Sequence, residues 1–182
     1  AMLAVCVAQG WPLDDYRDPD HPLQQHLRGT LERMADEPVS AVGVDGCGAP
    51  VGALSLTGVA RAFSTAVQAE PGSAERAVAD AMREHPVHVG GHGRDVTRLM
   101  QGVPGLLAKD GAEGVFAVAL DDGRALALKV EDGAARPRPV VVSAVLRHLG
   151  VRAEVLDEYA EEPLLGGGEP VGAVGVAPEL LA

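Results

Sequence analysis

The sequence predicts an α+β domain in which an antiparallel hairpin packs with helices. Two stretches carry this expectation. From Ser55 onward, Leu56, Val59, Ala60, Phe63, Ala66 and Val67 recur with the period of one helix face. From Val115 to Leu120 and from Ala125 to Val130, two apolar runs flank Asp121-Asp122-Gly123-Arg124, and Asp-Gly between such runs is a strong hairpin signal. The 182 residues, 47% apolar but only 3% aromatic, suffice for a single domain whose core is built from small aliphatic side chains. No internal repeat or long linker divides the chain.

The elements follow in order. Ala1 to Ala8 are apolar, carry no capping residue and run to Gly10, a C′ glycine, so the chain is expected to begin inside a helix. No basic region precedes this stretch, which argues against a signal peptide. Asp14, Asp15, Asp18 and Asp20 then surround Tyr16 and Arg17. They lack the glycine and terminal Glu of an EF-hand loop and read as a solvated turn. Asp20 is the expected cap of a helix with Pro22 in its first turn and Leu23, Leu27, Leu31 and Met34 along one stripe. His21 and His26 are expected on its surface. Val39 to Val44 reads as a short buried strand.

Ser55 caps the periodic helix, Glu70-Pro71-Gly72 ends it, and Ser73 starts another with Ala74, Ala77, Val78, Ala81 and Met82 on one face. His85-Pro86 stops that helix. His85, His88 and His92 have helical metal-site spacing, but Pro86, Gly90, Gly91 and Gly93 favour a polar loop, in which Arg94 reads as a surface ion-pair former. In a two-residue hairpin Ala119 faces Leu126 and Phe116 faces Lys129, with both faces otherwise apolar. Lys129 then either snorkels at the sheet edge or serves a buried anion. Arg136-Pro137-Arg138-Pro139 bridges to a helix carrying Val141, Val142, Val145, Leu146 and Leu149, closed by Gly150. One short strand is expected near Val171 to Val176.

The net charge of −11, with no basic stripe, argues against nucleic acid or an anionic membrane surface as partner. Two cysteines in unrelated contexts suit a reducing compartment, so a cytoplasmic location is expected. No run reaches membrane-spanning length. The composition resembles that of proteins from high-GC bacteria.

Chemistry is expected at Gly43-Val44-Asp45-Gly46-Cys47-Gly48-Ala49-Pro50, where an acid and a thiol stand two residues apart on a glycine-rich backbone. By itself the stretch fits either a cleft-lining pair or a tight turn with a small buried sulfur.

Four segments resemble the thermolabile type II asparaginase family, related to the rhizobial inducible asparaginases: Gly10-Trp11-Pro12 with Tyr16 and His21-Pro22-Leu23-Gln24; Gly43 to Pro50; Lys109-Asp110-Gly111-Ala112-Glu113-Gly114-Val115; and Leu128-Lys129-Val130-Glu131-Asp132-Gly133. The resemblance implies a serine β-lactamase and glutaminase-like fold, an α/β sandwich, and hydrolysis of the side-chain amide of L-asparagine. It also implies that residues 1–182 form an incomplete domain, the C-terminal part of a longer hydrolase. The serine nucleophile and its lysine would then lie upstream of Ala1. By the same resemblance Cys47 is a zinc ligand whose co-ligands lie outside the chain, and Asp45 orients a metal-bound water or the substrate ammonium. Lys109-Asp110-Gly111 resembles the Lys-Thr-Gly strand bordering β-lactamase clefts, with Asp in place of Thr. Lys109 and Lys129 are the candidates for binding the substrate carboxylate and for cleft electrostatics. An inert amino-acid-binding remnant, or a related glutaminase or β-lactamase-like amidohydrolase, is the alternative, and a homodimer is left open.

Overall fold

In a computed structural model, which describes residues 1–181, helices and small antiparallel sheets combine as the α+β expectation requires. Helix α1 (Met2–Gln9) ends at Gly10, whose φ of 68° is left-handed, and it buries only Cys6. Helix α2 (Pro22–Ala35) is capped by His21 rather than Asp20. The His21 Nδ1 accepts the Leu23 N–H at 3.0 Å while Nε2 donates to the Pro12 carbonyl at 3.1 Å, and Trp11 packs edge-on against the ring. A histidine expected at the surface is therefore buried, because one ring edge does the work of a capping oxygen.

Strands β1 (Ala41–Val44) and β2 (Pro50–Ala53) form a two-stranded ribbon, with Val44 opposite Pro50. The expected burial of β1 is wrong: all four residues are exposed, Val44 to 79%, and the buried residue of the run is Val39 just ahead of it. A strand needs a covering layer to be sealed, and the outer side of this ribbon has none.

Helix α3 (Leu56–Gln68) begins as expected, with Ser55 Oγ accepting the Gly58 N–H at 2.9 Å. The Glu37 carboxylate takes the Ser55 N–H at 2.6 Å and its hydroxyl at 2.7 Å, tying the end of α2 to the start of α3. A Cβ on Gly58 would stand 2.4 Å from that carboxylate, so this approach requires glycine. Ala66 and Val67 are buried, but Leu56 at the other end is 44% exposed. Only the second half of the periodic face is sealed.

Helix α4 (Ala74–Glu84) is capped by Ser73. Its buried face is Ala79 with Met82; Ala74, Ala77, Val78 and Ala81 point outward, which corrects the expected face except at Met82. Alanine is nearly indifferent to burial, so the one long apolar side chain sets the rotation. The expected polar loop holds a one-turn helix, α5 (Pro86–Gly90), followed by the unanticipated helix α6 (Asp95–Gly102), which buries Val96, Thr97, Leu99 and Met100.

The central sheet has the order β3-β4-β5, with β3 (Leu107–Asp110) and β5 (Ala125–Lys129) antiparallel to β4 (Val115–Ala119). The hairpin exists, but its register differs by one residue from the expected one: Ala119 faces Ala125 and Phe116 faces Leu128, while Lys129 faces Val115. The Gly123 N–H bonds the Leu120 carbonyl, the Leu120 N–H bonds the Arg124 carbonyl, and Gly123 has φ 88°. This is a three-residue connection ending in a left-handed glycine rather than a two-residue one. Such a slip exchanges the faces. Phe116, Val118, Leu126 and Leu128 meet α6, α7 (Pro137–His148) and α8 (Glu154–Glu158), and the opposite face, through Leu107 and Ala119, meets α3 and α4. The hairpin is thus covered on both sides, as expected.

Helix α7 starts earlier than expected and absorbs Pro137 and Pro139 in its first turn, where the missing N–H groups have no intrahelical partner anyway. The tail forms two strands instead of one, β6 (Glu162–Gly166) and β7 (Glu169–Val174), an exposed hairpin turned by glycines. Among the described residues no helix is long and apolar enough to cross a membrane.

Candidate functional site

The tip of the β1–β2 ribbon brings the predicted acid and thiol together. The Asp45 N–H bonds the Ala49 carbonyl at 2.9 Å and the Gly48 N–H bonds the Asp45 carbonyl at 2.8 Å, closing the turn with Gly48 at φ 79°. Within it, Asp45 Oδ1 accepts the Gly46 N–H at 2.6 Å and Oδ2 lies 3.8 Å from the Cys47 sulfur. Both side chains are exposed. The reading of Cys47 as a small buried hydrophobe therefore fails: no layer packs over the tip, and the thiol is open to solvent.

A third side chain, missed in the sequence, joins them. A Cβ on Gly48 would stand 2.8 Å from Arg17 Nη1, so the guanidinium lies against the turn at the one residue without a side chain. Arg17 reaches over from the loop between α1 and α2, which is tied down by Gln24 Nε2 donating to the Tyr16 carbonyl at 2.7 Å and by His21 on Pro12. It also lies 6.0 Å from the centre of the Tyr16 ring. The signal available in sequence was that Arg17 sits inside one of the four matching segments, between two pairs of aspartates.

Behind the tip runs a groove of about 1010 Å³, walled by α2 (Leu27, Leu31), the ribbon (Val42, Val51) and the start of α3 (Leu56, Val59). Lys129 and Val115, directly opposite each other on the central sheet, line the same groove. Lys129 is exposed and its ammonium bonds the Val130 carbonyl. The expectation that it shares a face with Phe116 is corrected by the register. It lies instead on the face that packs α3, with Val115, Ala117 and Ala127.

Lys109 lies on the same sheet face at the opposite edge, across from Ala117. It is carried by β3, a strand of its own paired to β4 on the side away from β5. Its ammonium is engaged by Asp110, at 2.6 Å from the backbone carbonyl and 2.8 Å from Oδ1. Asp110 also holds Arg94 at 2.8 Å and faces Arg138 at 3.7 Å. Burial raises the Asp110 carboxyl, yet the Lys109 hydrogen bond and the charges of Lys109, Arg138 and Arg94 outweigh it and hold the group below its ordinary value. Arg138 is itself buried, stands over Phe116 at 5.7 Å and bonds Asp95 at 3.2 Å, and its Nε has no partner among the described residues.

The structure thus joins Asp45 with Cys47, places Lys129 on the adjoining groove, and engages Lys109 elsewhere. The exposed Cys47 supplies one donor of a type that suits zinc, and with Asp45 alone beside it the turn does not close a four-coordinate site. Among the described residues no group of three or more His, Cys, Asp and Glu is placed to hold a metal, and the His85 and His88 rings meet at 5.7 Å without a third such residue.

No curated protein matches the chain. The family model described as L-asparaginase II matches residues 1–176. With nearly its whole length covered, the chain belongs to the L-asparaginase II family.

Proposed function

We propose that the protein hydrolyses the side-chain amide of L-asparagine, giving L-aspartate and ammonia, on a serine β-lactamase and glutaminase-like fold. One observation carries the reading: in a member of this family, an exposed thiol and carboxylate stand side by side on the turn of a ribbon whose strands wall an apolar groove.

Amide hydrolysis requires an activated nucleophile, donors for the developing oxyanion, and a means of holding both charged ends of the amino acid. Asp45 meets part of the last need, since among the described residues Oδ2 has no charged partner and is open to an ammonium group. Cys47 is the residue of this chain that would hold a zinc ion, its co-ligands lying outside residues 1–182, and the ion when bound would supply Lewis-acid polarisation. Lys129, at the far side of the groove, contributes positive potential toward substrate. The serine nucleophile is assigned, by family resemblance, to a segment outside residues 1–182. Lys109 is a weaker carboxylate ligand than its sequence suggested, because Asp110 competes for its ammonium.

The test is ammonia release from asparagine by the purified full-length protein, with glutamine as the comparison substrate. Asparagine-dependent release that Cys47→Ala greatly lowers is the expected result. Release unchanged in that variant defeats the role of Cys47, and no release from asparagine in the wild-type protein defeats the function.

A further inference from the structure

We infer that Arg17 is the residue that binds the α-carboxylate of the substrate, forming with Asp45 a clamp for the two charged ends of an amino acid. The inference rests on the amidohydrolase reading above. Of the cations considered for this role, Lys109 is engaged by Asp110 and Lys129 bonds the Val130 carbonyl. Arg17 makes no ion pair among the described residues, although Asp14, Asp15, Asp18 and Asp20 surround it in sequence and Asp15 instead meets His21 at 3.7 Å.

An exposed guanidinium left unpaired among four aspartates is available to an incoming anion. Its five donors form a planar fork that suits a carboxylate bidentately. The position is built: Arg17 Nη1 occupies the space that any side chain at residue 48 would claim, and that residue is a left-handed glycine. The same turn carries Asp45, whose Oδ2 faces the thiol and has no cationic partner among the described residues. A positive fork lying against the turn and a negative carboxylate on it match the zwitterionic head of a free amino acid. They would not both be satisfied by an amide lacking either charge.

The experiment compares asparagine with 3-aminopropanamide, which is asparagine without its α-carboxylate, in the full-length protein and its R17Q and R17K variants. In the wild type, loss of the carboxylate lowers kcat/KM by about tenfold or more, the usual reach of a hydrogen bond between charged groups. In R17Q that ratio falls toward one, because KM for asparagine rises while kcat changes little. R17K, which keeps the charge but not the fork, lies between. A ratio equal in wild type and R17Q overturns the clamp, as does an R17Q loss that is as large on 3-aminopropanamide. Calorimetry with L-aspartate reads the clamp without turnover: binding about tenfold weaker in R17Q supports it, and equal binding or none overturns it. Ammonia release by the wild type judges the amidohydrolase reading separately, so either can fail alone.

Discussion

The β1–β2 ribbon and the central strand β4 are written in nearly the same residues, Ala-Val-Gly-Val and Pro-Val-Gly-Ala against Val-Phe-Ala-Val-Ala, yet one lies open and the other is sealed. Strand β4 has a hydrogen-bonded neighbour on each side and helices over both faces. The ribbon has one partner strand and one covered side. Burial is therefore decided by what the rest of the chain lays over a strand. The order of the ribbon tip comes from its own turn hydrogen bonds, and this leaves a thiol and a carboxylate exposed where a substrate could reach them.

The contrast is broken or confirmed most strongly by truncating one apolar side chain in each region. Phe116→Ala in β4, where the ring is fully buried, is expected to cost about 3–5 kcal/mol in urea unfolding. Val42→Ala on the ribbon, with the side chain 45% exposed, is expected to cost less than about 1 kcal/mol. Comparable losses at the two sites would show that the ribbon is as firmly packed as the sheet.

Arg138 tests the polar side of the sealed region. Arg138→Met leaves Asp95 without its guanidinium and takes from Asp110 one of its three cations, at an expected cost of about 3 kcal/mol. Adding Asp110→Asn should recover part of the loss, because the two residues share one network. Strictly additive losses would mean that Arg138 and Asp110 are not coupled, leaving Arg138 to act through Asp95 and by packing over Phe116.

These regions also differ in how far the sequence revealed them. The caps Ser55 and Ser73, the stop at Gly10 and the existence of the β4–β5 hairpin were legible because each depends on one or two local residues. The register was not, since Asp-Gly serves both a two-residue turn and the end of a three-residue one, and only the strands' partners decide between them. Helix α6 was overlooked behind a run of glycines although Val96, Leu99, Met100 and Val103 recur at i, i+3, i+4 and i+7, the face that the sheet and α8 cover. At the site, Asp45 and Cys47 were legible as neighbours in sequence. Arg17 was not, because it meets Gly48 only after α2 and the ribbon fold back on each other.

Acid should separate the regions as well. Glu37, held low by the hydroxyl and N–H of Ser55, and Asp110, held low against its own burial by the Lys109 hydrogen bond and its neighbouring cations, both have folded values below their unfolded ones. Their contributions are present above the unfolded carboxyl range, about pH 4, and are lost as pH falls through the folded values. Urea midpoints should therefore drop below about pH 4, and less steeply in Arg138→Met, which has already lost part of what lowers Asp110. An equally steep drop in that variant would remove Arg138 from the account.

A smaller effect belongs to the junction between the two regions. Ser55→Ala removes the oxygen that accepts the Gly58 N–H and the hydroxyl that holds Glu37, at an expected cost of about 1 kcal/mol. Ser55→Asp keeps the cap but sets a second carboxylate beside Glu37. It should therefore recover less at neutral pH than at acid pH, where repulsion between the two is relieved. Equal recovery at both would mean that Glu37 turns away.

The smallest expected change lies at the ribbon itself. Val44 is 79% exposed and precedes Asp45, so Val44→Ser should alter stability by no more than about 0.5 kcal/mol. Its effect belongs instead to the surface. Val44 shares a ribbon face with Val42 and Pro50, which line the groove, so it adds exposed apolar area beside that groove, and patches of this kind promote association. Light scattering should show less self-association in Val44→Ser at unchanged unfolding midpoint, because the substitution removes apolar area that folding never covered. A large fall in the midpoint would mean that another part of the protein seals this strand. The ribbon would then owe its order to the same kind of burial as β4, and the difference between the two regions would disappear.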